Sequence, residues 1–332
     1  MVLVTPPAAP APPHPARFVA AVAGVFVAGM LVAVQSRVNA QLAHETGDAF
    51  VTAVISFGSG LLILSVGLVF TRAGRHGIGE VARAVRERRM PWWYLAGGGA
   101  GAFFVLTQSL VVALIGVALF TVGIVAGQLS SSVVVDRRGI GTMAPKPFTV
   151  PRVIAAGIAL AGVVVSVSGE LRGDVPFGLL VLPLIAGALV GMQAALNGQV
   201  RGIAGSAYTA TFGNFLIGTT VLVLALLVHL VAEPWTPVFP SNPVAYIGGA
   251  VGVIFIGAQA ILVRTVGVLV LGLSLLSGQL VMAVVFDLVL PLPGNTLTLV
   301  GGIGAVLTLL AVIVAVVPAP GRATTRGRPT AG

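Results

Sequence analysis

Apolar blocks of about 20 residues recur along most of the chain, and short connections between them hold most of the charges. An α-helix rises about 1.5 Å per residue, so a block of about 20 residues spans a hydrocarbon core of roughly 30 Å. Only 8% of the residues are charged, whereas soluble domains carry about 25%. The pattern therefore predicts an all-α integral membrane protein.

About ten transmembrane helices are expected from these blocks. The predicted spans cover residues 18–37, 49–70, 93–113, 117–135, 151–169, 176–196, 207–230, 244–263, 267–287 and 296–317. If the N-terminus is cytoplasmic, all of the 18 basic residues except Arg37 and Arg172 fall on the inner side. The positive-inside rule then places both termini in the cytoplasm of a multi-pass protein of the bacterial inner membrane. Topology accounts for the net charge of +9, and we expect no nucleic-acid partner.

The second half of the chain repeats polar positions of the first. Residues 158 positions apart align Gln35 with Gln193 and Asn39 with Asn197. Residues 151 positions apart align Gly127-Gln128-Leu129 with Gly278-Gln279-Leu280. Apolar segments match easily by chance, but shared Gln and Asn positions do not, so the sequence indicates an internal duplication.

Each copy contains five predicted spans, an odd number, so the second copy enters the membrane in the opposite sense. We therefore predict two inverted five-helix repeats. The expected division is a disordered Pro/Ala-rich tail (1–16), a first unit (17–170), a second unit (171–318) and a basic cytoplasmic tail (319–332). Inverted repeats are a recurring architecture of secondary transporters, because exchange of conformation between two similar halves alternates access to a central site.

Four glutamines within predicted spans are the best candidates for a central substrate site. They are Gln108, Gln128, Gln259 and Gln279, in two matched pairs. An amide offers donors and an acceptor to a polar solute group. The alternative is that these amides form hydrogen bonds between neighbouring helices.

A second set of amides lies nearer the ends of the spans. Gln35 and Asn39 are four residues apart on one helix face, as are Gln193 and Asn197. The first pair is near the outer end of its span and the second pair near the inner end, which is the placement expected of two gates or vestibules. The alternative is that both pairs cap the ends of their helices.

No catalytic, metal or cofactor site is predicted, because carboxylates and histidines fall in connections or at span ends and form no recognisable set. We therefore expect a membrane protein that is not an enzyme. An alternative function is lipid binding or assembly without solute flux, through anionic headgroups on the arginine-rich connection, which contains Arg72, Arg75, Arg83, Arg86, Arg88 and Arg89. A homodimer is left open.

Several of these motifs resemble the YdcZ-like family of the drug/metabolite transporter superfamily. The resemblance rests on Gln35-x-x-x-Asn39-x-Gln41, Phe57-x-x-Gly60, and Gly127-Gln128-Leu129 followed by Asp136 and Gly139. It covers roughly residues 17–317 as two fused five-span units. It implies a ten-helix transporter with a central cavity and an exporter role for small metabolites or drugs.

Overall fold

The computed structural model describes residues 15–139, 149–167, 181–232, 236, 238–289 and 299–316. Within these ranges the regular structure is helical. The α-helices are α1 (Pro15–Thr46), α2 (Ala49–Phe70), α3 (Arg72–Arg86), α4 (Gly97–Arg138), α5 (Val150–Val167), α6 (Val181–Ala204), α7 (Ala207–Ala232), α8 (Gly248–Val266), α9 (Val268–Val289) and α10 (Leu299–Val316). Short 3₁₀ turns, Trp92–Ala96 and Pro243–Tyr246, precede α4 and α8.

Six helical segments of the described ranges are long and apolar enough to cross a membrane: Pro15–Thr46, Ala49–Phe70, Val181–Ala204, Ala207–Ala232, Pro243–Val266 and Val268–Phe286. The outward faces of α2 and α7 carry exposed apolar side chains, among them Phe70, 81% exposed, and Val231, 86% exposed. Such apolar surfaces suit lipid rather than water. The predicted all-helical membrane fold is thus confirmed.

Helix α4 takes the place of two predicted spans, 93–113 and 117–135. It is assigned as one helix of 42 residues, yet its two ends reach neighbouring positions of α6. A Cβ at Gly101 would lie 3.1 Å from Nε2 of Gln193, and a Cβ at Gly191 would lie 3.2 Å from Oγ of Ser132. In a straight helix Gly101 and Ser132 would be about 45 Å apart. The chain therefore reverses direction between them.

The first helix of each predicted unit packs on later helices of the other predicted unit. At Gly29 and Gly278, α1 and α9 approach so closely that a Cβ at either position would collide with a backbone carbonyl, that of Leu275 or Phe26. The matched glycines, Gly187 and Gly127, bring α6 and α4 together in the same way, at the carbonyls of Ile124 and Leu184. Small residues at four-residue spacing allow such contacts in membranes. The sequence repeat thus recurs as a repeat of interfaces.

The turns that join the first two helices of each unit also match. Gly47, between α1 and α2, has φ 72°, and Gly205, between α6 and α7, has φ 64°. This left-handed backbone favours glycine. Asp48 then caps α2, accepting hydrogen bonds from the amides of Phe50 at 2.7 Å and Val51 at 3.0 Å. Ser206 stands at the equivalent position before α7 and accepts one from Thr209 at 3.3 Å.

Candidate functional site between the two units

A buried amide cluster joins α6 to α7 and lies against the start of α4. Asn214 Oδ1 accepts hydrogen bonds from Nε2 of Gln193 at 2.9 Å and from Nδ2 of Asn197 at 3.0 Å. All three residues are at most 7% exposed. The Nδ2 group of Asn214 is buried and has no partner. A Cβ at Gly97 would lie 2.9 Å from Oδ1 of Asn197. The glycine at this position of α4 therefore leaves room for the amide.

The matched cluster on α1 lies against α8 in the same way. Nε2 of Gln35 donates a hydrogen bond to the carbonyl of Gly248 at 2.8 Å, and a Cβ at Gly252 would lie 2.6 Å from that nitrogen. A Cβ at Gly248 would collide with Oδ1 of Asn39. Here Ser56 occupies the position that matches Asn214, and both Asn39 Oδ1 and Ser56 Oγ are buried without a partner. The two clusters therefore share their position but differ in hydrogen bonding.

These contacts correct one sequence-based alternative. The helix α1 continues to Thr46 and α6 continues to Ala204, so Gln35, Asn39, Gln193 and Asn197 are internal to their helices and do not cap them. Each pair instead bridges the two units: the amides of the first unit rest on glycines of the second, and those of the second on glycines of the first. Any relative movement of the units must change these contacts.

Of the four central glutamines, Gln128 is the best placed by its contacts. Its side chain is half-buried, and a Cβ at Gly272 on α9 would lie 3.2 Å from its Nε2. Gln279 is seven residues beyond Gly272, so it shares that face of α9 and lies about 10 Å farther along the axis. Gln128 therefore lies at the boundary between α4 and α9, and the backbone of Gln279 lies on the same side of α9, about 10 Å from Gly272.

The boundary between these two amides is mostly apolar. Val125 on α4 and Leu276 on α9 are buried. Within the described part of the chain, no side-chain hydrogen bond is formed by Gln128 or Gln279. The arrangement can present two polar groups to an amphiphilic molecule with an apolar middle.

One of the two remaining central candidates, Gln259, lies on a different interface. Gln259 is half-buried and shares the face of α8 that carries Gly252, toward α1. The side chain of Gln108 lies outside the described residues. Among the described residues, Gln128 and Gln259 thus lie at different helix interfaces.

Two functional candidates were missed from the sequence. Asn214 directly precedes Phe215, and Ser56 directly precedes the matched Phe57. The repeat alignment therefore contains this polar pair, although the two residues differ. The sequence includes Asp136 among the residues of the resemblance and places it at the end of its span, but does not predict its contacts. Asp136 is 5% exposed, accepts hydrogen bonds from the amides of Val268 at 2.7 Å and Leu269 at 3.1 Å, and pairs with Arg152 at 3.4 Å.

A membrane protein whose two similar halves are packed through matched interfaces is the class that this geometry defines. A family model described as "Putative inner membrane exporter, YdcZ" matches residues 20–165 and 178–314. The chain therefore belongs to the YdcZ family, which is of the drug/metabolite transporter type, and it is a multi-pass protein of the inner membrane. The predicted family and location are confirmed.

A solved crystal structure of another protein is similar in fold. It has a TM-score of 0.61 with 16% sequence identity, over 90% of this chain and 96% of the other. At this identity the likeness concerns the fold alone. No curated protein matches the sequence.

Proposed function

We propose that this protein is a secondary transporter that exports small metabolites or drugs by alternating access between two inverted five-helix repeats. In this proposal the repeats are residues 17–170 and 171–318, and ten spans cross the membrane with both termini in the cytoplasm. The reversal of α4 supplies the third and fourth spans. The match of one family model to two segments supports the division.

The exchange of contacts between the units is the observation that carries this proposal. Gln35 lies on Gly248 and Gly252 of the second unit, and Gln193 lies on Gly101 of the first. Two similar halves that hold each other through equivalent contacts can trade conformations without creating a new kind of interface. That exchange opens one face of the membrane while it closes the other.

The residues have distinct roles in this proposal. Gln128 and Gln279 contact the solute at the boundary of α4 and α9, with Gln108 and Gln259 farther along the pathway. The cluster of Gln35 and Asn39 forms the outer gate, and the cluster of Gln193 and Asn197 forms the inner gate. The unpaired amides favour a solute with polar, uncharged groups, and the apolar residues between them favour an amphiphilic one.

The direct test uses the purified protein in liposomes with labelled amphiphilic metabolites and drugs. Gln128→Leu combined with Gln279→Leu should lower flux about tenfold or more, since hydrogen bonds contribute about 0.5–1.5 kcal/mol each. Gln41→Leu is the control, because Gln41 is exposed and, among the described residues, its amide donates a hydrogen bond to Glu45 at 2.9 Å. Unchanged flux in the double variant, with the wild type active, would remove these residues from the site. Comparing flux with and without a pH gradient separates proton antiport from facilitated exchange.

A second candidate function, lipid binding, is favoured by one feature of α3. This helix buries Gly74, Gly77, Val81 and Ala84 against the body of the protein and leaves its arginines outside. Within the described residues Arg83 pairs with Glu80 at 3.0 Å and Arg89 with Glu87 at 2.7 Å, and Arg75 donates to carbonyls at the end of α2. Arg72, Arg86 and Arg88 have no such partner among them and can contact anionic headgroups.

Charge-matched variants test this second function. Replacing Arg72, Arg86 and Arg88 with Gln should abolish most of the thermal stabilisation by phosphatidylglycerol over phosphatidylcholine, at about 1 kcal/mol per arginine. Replacing Arg322, Arg326 and Arg328 of the C-terminal tail with Gln removes the same charge elsewhere. Equal losses in both variants would indicate a general charge effect. Lipid binding without flux of any solute would favour this function over transport.

A further inference from the structure

Asp136 makes a contact between the units that the amide clusters do not explain. It lies near the end of α4, in the first unit, and its carboxylate accepts the amides of Val268 and Leu269, at 2.7 and 3.1 Å, from the start of α9 in the second unit. A helix start has unsatisfied amides and a partial positive charge, so a carboxylate is favoured there. Most helix caps are supplied by the chain just before the helix, but this one comes from 132 positions away.

The cap depends on the interruption of helical structure between α8 and α9. Gly267 has φ 87°, a backbone conformation that favours glycine, and it ends α8 so that α9 begins anew at Val268. Arg152, at the start of α5, adds an ion pair to Asp136 at 3.4 Å, with side chains 15% and 4% exposed. Inner ends of α4, α5 and α9 are thereby held at one carboxylate.

The repeat gives Asp136 a counterpart on the opposite side. Asp287 is its match 151 positions later, and the residues that match Gly267, Val268 and Leu269 are Gly116, Val117 and Ala118. Gly116 lies in the segment of α4 where the chain reverses direction, as Gly267 lies between α8 and α9. The sequence thus places a carboxylate and a junction with glycine in matched positions of both copies, and the cap is observed at Asp136.

We propose that Asp136 is a positioning residue that latches the cytoplasmic side of the transporter closed, and that Asp287 latches the outer side through residues 117 and 118 in the opposite state. The proposal rests on the alternating access proposed above. The inner latch includes the ion pair of Asp136 with Arg152. The outer latch lacks this ion pair, because Ile303 stands at the position that matches Arg152. The inner latch is therefore the stronger one, and the resting protein is closed to the cytoplasm.

The chain contains no cysteine, so single reporter cysteines can measure each side. Ser132→Cys places a reporter one turn before Asp136 at a position with 0% exposure, and Ala283→Cys places its match on the other side. Each reporter is labelled with a membrane-impermeant maleimide in vesicles of known sidedness. The readout is the ratio of inner to outer labelling rates, which needs no knowledge of the solute.

Asp136→Ala should raise this ratio at least about tenfold, and Asp136→Asn, which keeps one acceptor oxygen, should raise it less. Asp287→Ala should move the ratio in the opposite direction. Arg152→Gln should act like a weaker form of Asp136→Ala, and Glu80→Gln, which removes a carboxylate on the surface of α3, should leave the ratio unchanged.

Opposite shifts for Asp136→Ala and Asp287→Ala would support the latches even if no transported solute is found. A rise of both labelling rates in Asp136→Ala would show a residue that only stabilises the fold, and an unchanged ratio would show one with no role in the equilibrium. Either result overturns the proposal. If the two variants shift the labelling ratio in opposite directions but no flux is found, the latches stand and the proposed solute site is at fault.

Discussion

Phe57 and Phe215 pack against each other across the two units in a tilted arrangement, with ring centroids 5.3 Å apart and planes inclined by 39°. Each ring also packs over a glycine on the opposite helix. Phe215 lies over Gly60, one turn after Phe57, and Phe57 lies over Gly218, one turn after Phe215. The four residues form a closed contact that is the same from either side. It fixes α2 against α7 and lies where an axis relating the two units would pass.

This reciprocal contact predicts a large effect from one added methyl group. In Gly60→Ala the Cβ would lie 2.8 Å from Cδ1 of Phe215 and 3.1 Å from the carbonyl oxygen of Gly249. Such overpacking costs about 1–3 kcal/mol, so the thermal unfolding midpoint of the detergent-solubilised protein should fall by several degrees. Adding Phe215→Leu should recover part of the loss, because the smaller side chain releases the space.

Gly58→Ala is the control for this measurement. Gly58 lies on the same helix, and a Cβ there would meet no atom within 4 Å. Its unfolding midpoint should stay near that of the wild type. A similar fall in both variants would show that α2 tolerates no side chain at either glycine, and the packing of Phe215 over Gly60 would not be the cause.

The two amide clusters predict unequal effects at matched positions. Asn214→Ala removes the acceptor of two buried donors, on Gln193 and Asn197, and should cost about 1–3 kcal/mol. Ser56→Ala removes a hydroxyl that has no partner and should cost less than about 0.5 kcal/mol. Both are measured as unfolding midpoints. Equal losses would contradict the different hydrogen bonding of the two clusters.

Much of the fold follows from the sequence because the membrane restricts it. A helix that crosses a membrane must satisfy its own backbone, so length and apolarity predict both ends of α2 and α7 to within two residues. The helices α1 and α6 continue nine and eight residues past their predicted ends. The matched positions also predict which residues are equivalent, such as Gln35 and Gln193. They do not predict that each pair packs on the other unit, because a repeat pattern records likeness and not contact.

The contacts of the candidate site could be predicted from the sequence less well than the fold, for a physical reason. Asp136 is near the end of a helix, where a carboxylate is ordinarily placed in water, and its role depends on the distant break at Gly267. Asn214 has a serine as its match, so a search for identical polar pairs passes over it. The α3 helix was expected only as a basic connection, and its small residues, Gly74, Gly77 and Ala84, are what allow it to pack as a helix.

The central site predicts an effect from a residue that carries no polar group. Gly272→Ala would place a Cβ 3.2 Å from Nε2 of Gln128, so the amide must shift by a few tenths of an ångström. Flux in liposomes should fall about two- to tenfold, while the unfolding midpoint changes little. Gly213→Ala is the control, since a Cβ there would meet no atom within 4 Å. Equal flux in both variants would show that Gln128 does not contact the solute.

The proposed topology predicts that two exposed positions face opposite sides of the membrane. His44 lies near the end of α1, close to the turn at Gly47, and Ala82 lies on the exposed face of α3. In the cysteine-free chain, an impermeant maleimide applied to intact spheroplasts should label His44→Cys and leave Ala82→Cys unlabelled. Permeabilisation should then expose Ala82→Cys. Because α2 alone separates the two positions, labelling of both from one side would mean that α2 does not cross, and the second unit could not be inverted relative to the first as proposed.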